Sequence, residues 1–365
     1  MGMHTQSSRM REVFPQSITI LPTYRCNAEC TECCFESNPR IKQRLGLREI
    51  IGAIDRARAA FPSLQLLVFS GGEVFLLKGD LFLAIAHARS LGLLVRCVTN
   101  AFWGKTSRTA ERTVARLLEA DVSEINISTG SDHQEHMPFE SIENACEALV
   151  SAGVKTLVTV ENDSPTTNCL LRARLSRRLR LLQEQYPQLF SIQCNSWMPF
   201  HENYIERGTP AGLESLTDGC SQIFNNLVVT PYGRLAACCG LTFEHIPELT
   251  LGDLNVEEMQ SLFDKALNDF LKVWIHMDGP ATILRKLFGD EINDELKEVR
   301  HICQACAVLH LHPKVRFELL RRYQEFVPDV LARFALKVEI RRREFADATR
   351  AVAFASRLEE AETSV

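Results

Sequence analysis

Three cysteines lie within eight residues near the start of the chain, directly after a strand-like apolar run. The stretch CNAECTEC contains Cys26, Cys30 and Cys33 in the spacing CxxxCxxC. Cysteine thiolates are the usual ligands of iron–sulfur clusters. Three thiolates can bind three irons of a four-iron cluster and leave the fourth iron open to a small molecule. The spacing therefore predicts a cluster that passes an electron to a bound ligand.

Two other interpretations of this motif stay open. The cysteines are buried thiols without a metal, or they bind zinc, although structural zinc sites usually take four protein ligands. Cys34 directly follows the third cysteine and cannot easily reach the same cluster, so we expect it to be a small buried residue.

A second motif follows the next strand-like run, in the stretch FSGGE that ends with Gly71, Gly72 and Glu73. Glycines let the backbone pass close to a ligand and adopt positive φ. A carboxylate beside them can pair with an ammonium group. Taken alone, the stretch is typical of an ordinary turn between a strand and a helix.

Together the two motifs resemble those of the radical SAM superfamily. The resemblance implies that a [4Fe-4S] cluster held by the three cysteines reduces S-adenosylmethionine (SAM) and releases a 5′-deoxyadenosyl radical. It also implies that the Gly-Gly-Glu turn binds the amino group of SAM. The sequence departs from the family at Glu32, where an aromatic residue usually packs near the adenine, and we expect Phe35 to supply that ring instead.

Further SAM contacts are implied by family position at Asn100 and at Ser128 or Asp132. Without the resemblance, Asn100 is a turn residue and the other two are helix caps. His133 and His136 lie in the same loop, where a histidine is suited to handling a substrate proton because it titrates near neutrality.

The composition restricts the class of protein. The chain has 365 residues, of which 45% are hydrophobic and 24% charged, as in globular proteins. A net charge of -5 argues against nonspecific nucleic-acid binding. We expect no membrane span, because no run of 18 apolar residues occurs. Thirteen cysteines without an export signal favour metal binding in the reducing cytoplasm.

Strand-like and helical patterns alternate through the first 200 residues. The strand-like runs cover 17–22, 64–70, 93–99, 123–128, 154–160 and 190–197, and helical patterns cover 47–57, 80–91, 107–119, 139–152 and 168–186. This alternation predicts an α/β fold with a parallel sheet. The resemblance implies that residues 17–210 form a partial (β/α)6 barrel, after a tail at 1–16. In such barrels the active site lies at the carboxyl ends of the strands.

A second set of cysteines follows the barrel. Cys220 and Cys238 flank a predicted β-hairpin, and Cys303 and Cys306 form a CxxC pair. Four thiolates suit a fully ligated [4Fe-4S] cluster, and they suit zinc as well. The set resembles the twitch domain, a shortened SPASM domain, of radical SAM enzymes. We expect this auxiliary domain at 211–312 and a helical, charged segment at 313–365.

The resemblance implies a radical SAM enzyme with two [4Fe-4S] clusters that modifies a ribosomally made peptide by crosslinking, oxidation or epimerisation. A second hypothesis keeps the chemistry and makes the substrate a small molecule, such as an aminocyclitol antibiotic precursor. A third is a zinc-bound α/β protein without catalysis. The first two require a reductant such as flavodoxin or ferredoxin.

Overall fold

The computed structural model describes residues 10–161, 168–196, 216–240, 244–292, 296, 299 and 301–362, with side chains up to residue 347. The ends of the predicted sixth strand and of the predicted barrel, at residues 197 and 210, lie outside these ranges. No helix in the described part of the chain has both the length and the apolar character that crossing a bilayer requires.

The described strands form one open sheet. In chain order they are β1 (Ser17–Ile20), β2 (Leu66–Phe69), β3 (Leu94–Thr99), β4 (Glu124–Thr129), β5 (Lys155–Glu161), β6 (Phe190–Asn195), β7 (Asn226–Val229), β8 (Arg234–Ala236) and β9 (Thr250–Asp253). Their order across the sheet is β6-β5-β4-β3-β2-β1-β7-β8-β9. Strands β1 to β7 are parallel to one another, whereas β8 pairs antiparallel with both β7 and β9.

Helices connect the parallel strands. They are α1 (Leu47–Ala60), α2 (Gly79–Ser90), α3 (Ser107–Glu119), α4 (Ser131–His136), α5 (Phe139–Ser151), α6 (Cys169–Leu175) and α7 (Arg177–Gln185). After the sheet come α8 (Met259–Leu267), α9 (Phe270–Phe288), α10 (Ile302–Leu311), α11 (Pro313–Arg322) and α12 (Val327–Glu362). The predicted α/β fold with a partial barrel is confirmed, and its sheet is not closed.

Hydrophobic periodicity explains why these segments become strands and helices. In α1, Ile50, Ile54 and Ala57 are fully buried at helical spacing, so one face of the helix packs on the sheet. In β1, Ile18 is opposite Leu67 of β2 and Leu227 of β7, and all three are buried. Continuous apolar strands of this kind are typical of a parallel sheet covered by helices.

One predicted helix is two helices in the structure. The pattern over 168–186 divides at Ser176, whose side chain accepts a hydrogen bond from Leu179 N at 3.2 Å and so caps α7. Asn168 caps α6 in the same way, through Leu171 N at 3.3 Å.

The hairpin predicted between Cys220 and Cys238 forms, as β7 and β8, and it continues the sheet beside β1. Thr19 of β1 donates a hydrogen bond to Asn226 Oδ1 of β7 at 3.2 Å in the buried interior. The hairpin between Cys220 and Cys238 is therefore joined directly to the strand that precedes the first cysteine motif.

Candidate active site

A cavity of about 200 Å³ opens at the carboxyl ends of the parallel strands. Its wall contains every residue that the sequence assigns to the first cluster and to SAM, namely Cys26, Cys30, Cys33, Gly71, Gly72, Glu73, Asn100, Ser128 and Asp132. These residues follow four different strands, and parallel strands bring their carboxyl ends to one edge of the sheet. The roles given to them individually stay predictions.

The two glycines bring the turn after β2 against the loop that carries the cysteines. Gly72 N donates to Thr23 O and Glu73 N donates to Arg25 O, both at 2.9 Å. Gly71 has φ of 114°, and a Cβ there would lie 2.6 Å from Thr23 O. A side chain at Gly72 would overlap the Arg25 carbonyl. Glycine is therefore required at both positions for the loop to pass beside the turn.

Glu73 binds the end of β3 with its carboxylate. The group is buried and accepts hydrogen bonds from Phe75 N at 3.0 Å, Thr99 Oγ1 at 2.9 Å and Asn100 N at 2.8 Å. Burial raises the pKa of Glu73 to about 7 although these three hydrogen bonds favour its charged form. Thr99 Oγ1 also lies 3.0 Å from the second carboxylate oxygen, so both oxygens of Glu73 are held, and the residue lies in the cavity wall.

Backbone N–H groups approach the sulfur atoms of two of the first cysteines. Ala28 N approaches Cys26 Sγ at 3.4 Å, and Ser37 N approaches Cys33 Sγ at 3.5 Å. Burial raises the pKa of the Cys26 thiol to about 12 and raises that of Cys30 further. These thiols stay protonated at neutral pH unless a metal displaces the proton, as iron and zinc both do.

The number of thiols bears on the choice between these two metals. Cys26, Cys30 and Cys33 lie together in the wall of one cavity. Structural zinc sites usually take four protein ligands, whereas three thiolates bind three irons of a four-iron cluster and leave the fourth open. The chemistry of the first cysteine set therefore suits a cluster. In the same region, a carboxylate trio of Glu32, Asp132 and Glu161 brings its ligand atoms within 4.8 Å of one another.

The carboxylate trio is a feature that sequence analysis missed as a group. Asp132 accepts hydrogen bonds from Thr31 Oγ1 and from Glu32 N, both at 2.8 Å, so it holds the cysteine loop from the end of β4. Glu161 reaches the same place from the end of β5, against Gly130, where any side chain would overlap it. Asp132 lies in the first turn of α4 and is not the cap of the helix at 139–151, whose N-cap is Pro138.

His133 lies in the wall of the same cavity and is neutral at physiological pH. Burial lowers its pKa to about 4, while nearby Asp132 raises it in part. In its neutral form the His133 imidazole has one ring nitrogen that can accept a proton.

The second set of cysteines lines a neighbouring cavity of about 360 Å³. Cys220, Cys238, Cys303 and Cys306 are all in its wall, together with Cys239. Burial raises the pKa of the Cys238 thiol well above its usual value, and the close thiols Cys220, Cys303 and Cys306 raise it further. The four predicted ligands are thus close enough to interact electrostatically, although 65 residues separate Cys238 from Cys303.

Cys220 is positioned by a kink in α9. The helix is interrupted at Gly279, where φ is 74° and Pro280 follows. A Cβ at Gly279 would overlap Asp218 O, and one at Gly219 would lie 2.7 Å from Met277 O. Cys220 N donates to Ile275 O of the same helix at 2.9 Å. The kink thus allows the chain before Cys220 to lie against α9.

Cys34 lies between the two cavities. It is in the wall of the first cavity, and its thiol pKa is raised first by burial and then by nearby Cys33 and Cys303. Phe35 stacks on Tyr24 with ring centroids 5.4 Å apart, and the Tyr24 hydroxyl donates to Glu244. The loop after β1 therefore brings Cys34 within electrostatic range of Cys303, a predicted ligand of the second cluster.

Comparisons with known proteins agree with this arrangement. Residues 20–164 match the family model described as the radical SAM superfamily. Over 135 residues the chain is 27% identical to YydG of Bacillus subtilis (strain 168), described as a peptide biosynthesis protein. That alignment spans 37% of this chain and 42% of YydG, less than half of the relative's length.

Two solved structures share the fold at low sequence identity. The anSMEcpe protein with bound AdoMet and Cp18Cys peptide is 14% identical, with a TM-score of 0.52, and the match covers 87% of this chain and 99% of that one. Streptococcus suis SuiB bound to S-adenosylmethionine is 12% identical with a TM-score of 0.50, over 71% of this chain and 68% of that one. Residues 20–164 of this chain are thus a radical SAM domain.

Proposed function

We propose that this enzyme cleaves SAM at a [4Fe-4S] cluster held by Cys26, Cys30 and Cys33, and uses a second cluster held by Cys220, Cys238, Cys303 and Cys306 to modify a peptide. The observation that carries the proposal is the grouping of all the predicted SAM and cluster residues in one cavity, with the four further cysteines around the next. When bound, the first cluster supplies the electron that splits SAM into methionine and a 5′-deoxyadenosyl radical.

The chain's own residues bind and orient SAM. Glu73 lies in the cavity wall, where its carboxylate is proposed to pair with the SAM ammonium. Ser128 and Asp132 lie in the cavity wall, where they are proposed to contact the ribose or carboxylate of SAM. The position next to Cys33 that is usually aromatic in the family is the buried Glu32, and Phe35 in the same wall supplies a ring for the adenine.

A peptide is the favoured substrate because of the relatives. YydG is described as a peptide biosynthesis protein, and anSMEcpe has been solved with a bound peptide. We propose a ribosomally made peptide that is crosslinked, oxidised or epimerised. A flavodoxin or ferredoxin would deliver the electron, and thirteen free cysteines suit the reducing cytoplasm.

Metal analysis tests the cluster assignment. After anaerobic reconstitution we expect about eight irons per chain, since two cubanes contain about four each. Replacing Cys26, Cys30 and Cys33 together with alanine should leave about four irons and abolish SAM cleavage. Stoichiometric zinc without iron in anaerobically isolated protein would overturn the proposal.

The substrate is tested separately from the chemistry. Peptides encoded beside the gene are incubated with enzyme, SAM and reductant, and mass spectrometry follows the products. We expect 5′-deoxyadenosine to form slowly without peptide and faster with the cognate peptide, whose mass or stereochemistry then changes. Acceleration by a small molecule such as an aminocyclitol, and by no peptide, would keep the radical chemistry and replace the substrate class.

A further inference from the structure

Hydrogen bonds fix the orientation of the Asn100 side-chain amide. Asn100 directly follows β3 and is 5% exposed. Its Oδ1 accepts a hydrogen bond from Phe102 N at 3.1 Å. Since that oxygen is bound to a backbone donor, the amide NH₂ group must point the opposite way. One amide hydrogen is donated to Asn27 Oδ1 at 3.0 Å.

The second amide hydrogen of Asn100 is directed at a cysteine sulfur. Asn100 Nδ2 lies 3.7 Å from Cys26 Sγ, within range of an N–H···S hydrogen bond. Ala28 N approaches the same sulfur at 3.4 Å, so a side-chain donor and a backbone donor converge on it. Glu73 holds the backbone N of Asn100 at 2.8 Å and keeps the residue in this place.

We propose that Asn100 raises the reduction potential of the first cluster by donating this hydrogen bond to Cys26. The inference rests on the proposed function, which makes Cys26 an iron ligand. Reduction adds negative charge to a cluster, and part of that charge resides on the ligating sulfur. An N–H donor stabilises the reduced form more than the oxidised form, which is one of the ways in which proteins set cluster potentials. Asn100 is thus a positioning and tuning residue in addition to its expected contact with SAM.

The proposal is tested by redox titration of the full-length, reconstituted enzyme without SAM. The first cluster is identified by the part of the electron paramagnetic resonance spectrum that changes when SAM is added. In Asn100→Ala the ratio of reduced to oxidised first cluster, at one fixed potential, should fall about two- to tenfold, as loss of one hydrogen bond implies. The auxiliary cluster should titrate as in the unaltered enzyme.

Two further variants provide a control and a second way to remove the hydrogen-bond donor. Asn144→Ala removes another buried asparagine, whose amide donates to Gly104 O at 3.0 Å. Asn144 is in the wall of neither cysteine cavity, so the variant should leave the potential unchanged. Asn100→Ser keeps a side-chain oxygen for Phe102 N and loses the donor to Cys26. It should show the same fall as Asn100→Ala, and it replaces that variant if the alanine enzyme does not fold.

The possible failures are distinguishable. An unaltered enzyme with no SAM-sensitive signal would overturn both the proposed function and this inference. A SAM-sensitive signal whose potential is the same in both Asn100 variants would overturn the inference alone. Loss of the first cluster's iron in both variants would also overturn it, because Asn100 would then serve assembly and not the potential.

Discussion

Gly72 lies against the carbonyl group of Arg25, so close that a Cβ carbon on residue 72 would lie 2.6 Å from the carbonyl carbon and closer still to its oxygen. Arg25 directly precedes Cys26. The contact is between two backbones, and neither can move aside as a flexible side chain would. The Gly-Gly-Glu turn therefore has a structural task toward the cysteine loop besides the SAM contact that the family implies.

Gly72→Ala should displace the cysteine loop and prevent assembly of the first cluster. We expect iron to fall from about eight to about four per chain and SAM cleavage to be lost. Gly52→Ala is the matched control, because nothing lies within 4 Å of a Cβ at that position in α1. It should keep all the iron and gain about 0.5–1 kcal/mol of stability. Full iron content and normal SAM cleavage in Gly72→Ala would show that the first cluster does not need the close contact between residue 72 and Arg25.

Glu73→Ala should weaken both the fold and SAM binding. Phe75 N, Thr99 Oγ1 and Asn100 N would lose their buried acceptor, which should lower the free energy of unfolding by about 3 kcal/mol. Loss of the charge-assisted bond to the SAM ammonium should lower SAM affinity about ten- to hundredfold at equal iron content. Urea unfolding and SAM titration measure the two effects.

The control for Glu73 is Glu29→Ala, on the same cysteine loop. Glu29 is exposed and pairs with the exposed Arg40, so its removal should hardly change either measurement. If Glu73→Ala unfolds like the unaltered protein, the carboxylate does not hold β3. If its SAM affinity is unchanged, Glu73 is not part of the SAM site.

Much of the site could be predicted because the relevant signals are local. Each predicted strand boundary lies within two residues of its counterpart where the structure describes it, since apolar runs determine the parallel sheet. The fold then brings Cys26, Gly71 and Asn100 together automatically, because each follows a strand carboxyl end. Predicting these three residues needed only the strand order and two short motifs.

Other features depend on contacts between distant residues and leave no local signal. Glu32, Asp132 and Glu161 meet only because the ends of β4 and β5 reach the loop after β1. The pairing of β7 with β1 likewise places Cys34 beside the second cysteine set, whereas the sequence suggested only a small buried residue. The division of the predicted helix at Ser176 was missed because no proline or glycine marks it.

Stability should fall below pH 6.5 in part because of His276. The imidazole is 1% exposed, and burial, then Lys337 and Arg341, lower its pKa to about 3. Below pH 6.5 His276 binds a proton in the unfolded chain but stays unprotonated in the folded protein. The free energy of unfolding therefore falls by up to about 1.4 kcal/mol per pH unit. The stability present above pH 6.5 is lost progressively as the pH falls toward 3.

His276→Asn isolates this contribution, because its amide can still donate to Ile223 O, which the His276 Nδ1 atom contacts at 2.9 Å. The variant should be less stable at pH 7, since it loses ring contacts with Phe14 and Phe334. Between pH 6 and pH 5, however, it should lose about 1 kcal/mol less stability than the unaltered chain. Urea unfolding of iron-free protein at pH 7, 6 and 5 gives both slopes, and equal slopes would refute the assignment.

Gly279→Ala should remove the auxiliary cluster and spare the first one. The added Cβ would overlap Asp218 O in the segment before Cys220, so Cys220 should move away from Cys238, Cys303 and Cys306. We expect about four irons per chain, the content of one cubane, with SAM cleavage retained and peptide modification lost. Iron analysis, 5′-deoxyadenosine formation and product mass measure the three outcomes.

Gly289→Ala, at the end of the same helix, separates overlap from backbone strain. Gly289 also has positive φ, 61°, but nothing lies within 4 Å of a Cβ there. The alanine should cost about 1–3 kcal/mol, because a φ of 61° with a ψ of -141° is a conformation adopted almost only by glycine, and it should leave about eight irons. Equal iron loss in the two variants would mean that α9 unfolds locally in both. Full iron content in Gly279→Ala would mean that Cys220 is not a ligand. The auxiliary cluster would then need a different fourth thiolate, and Cys239 lies in the same cavity wall.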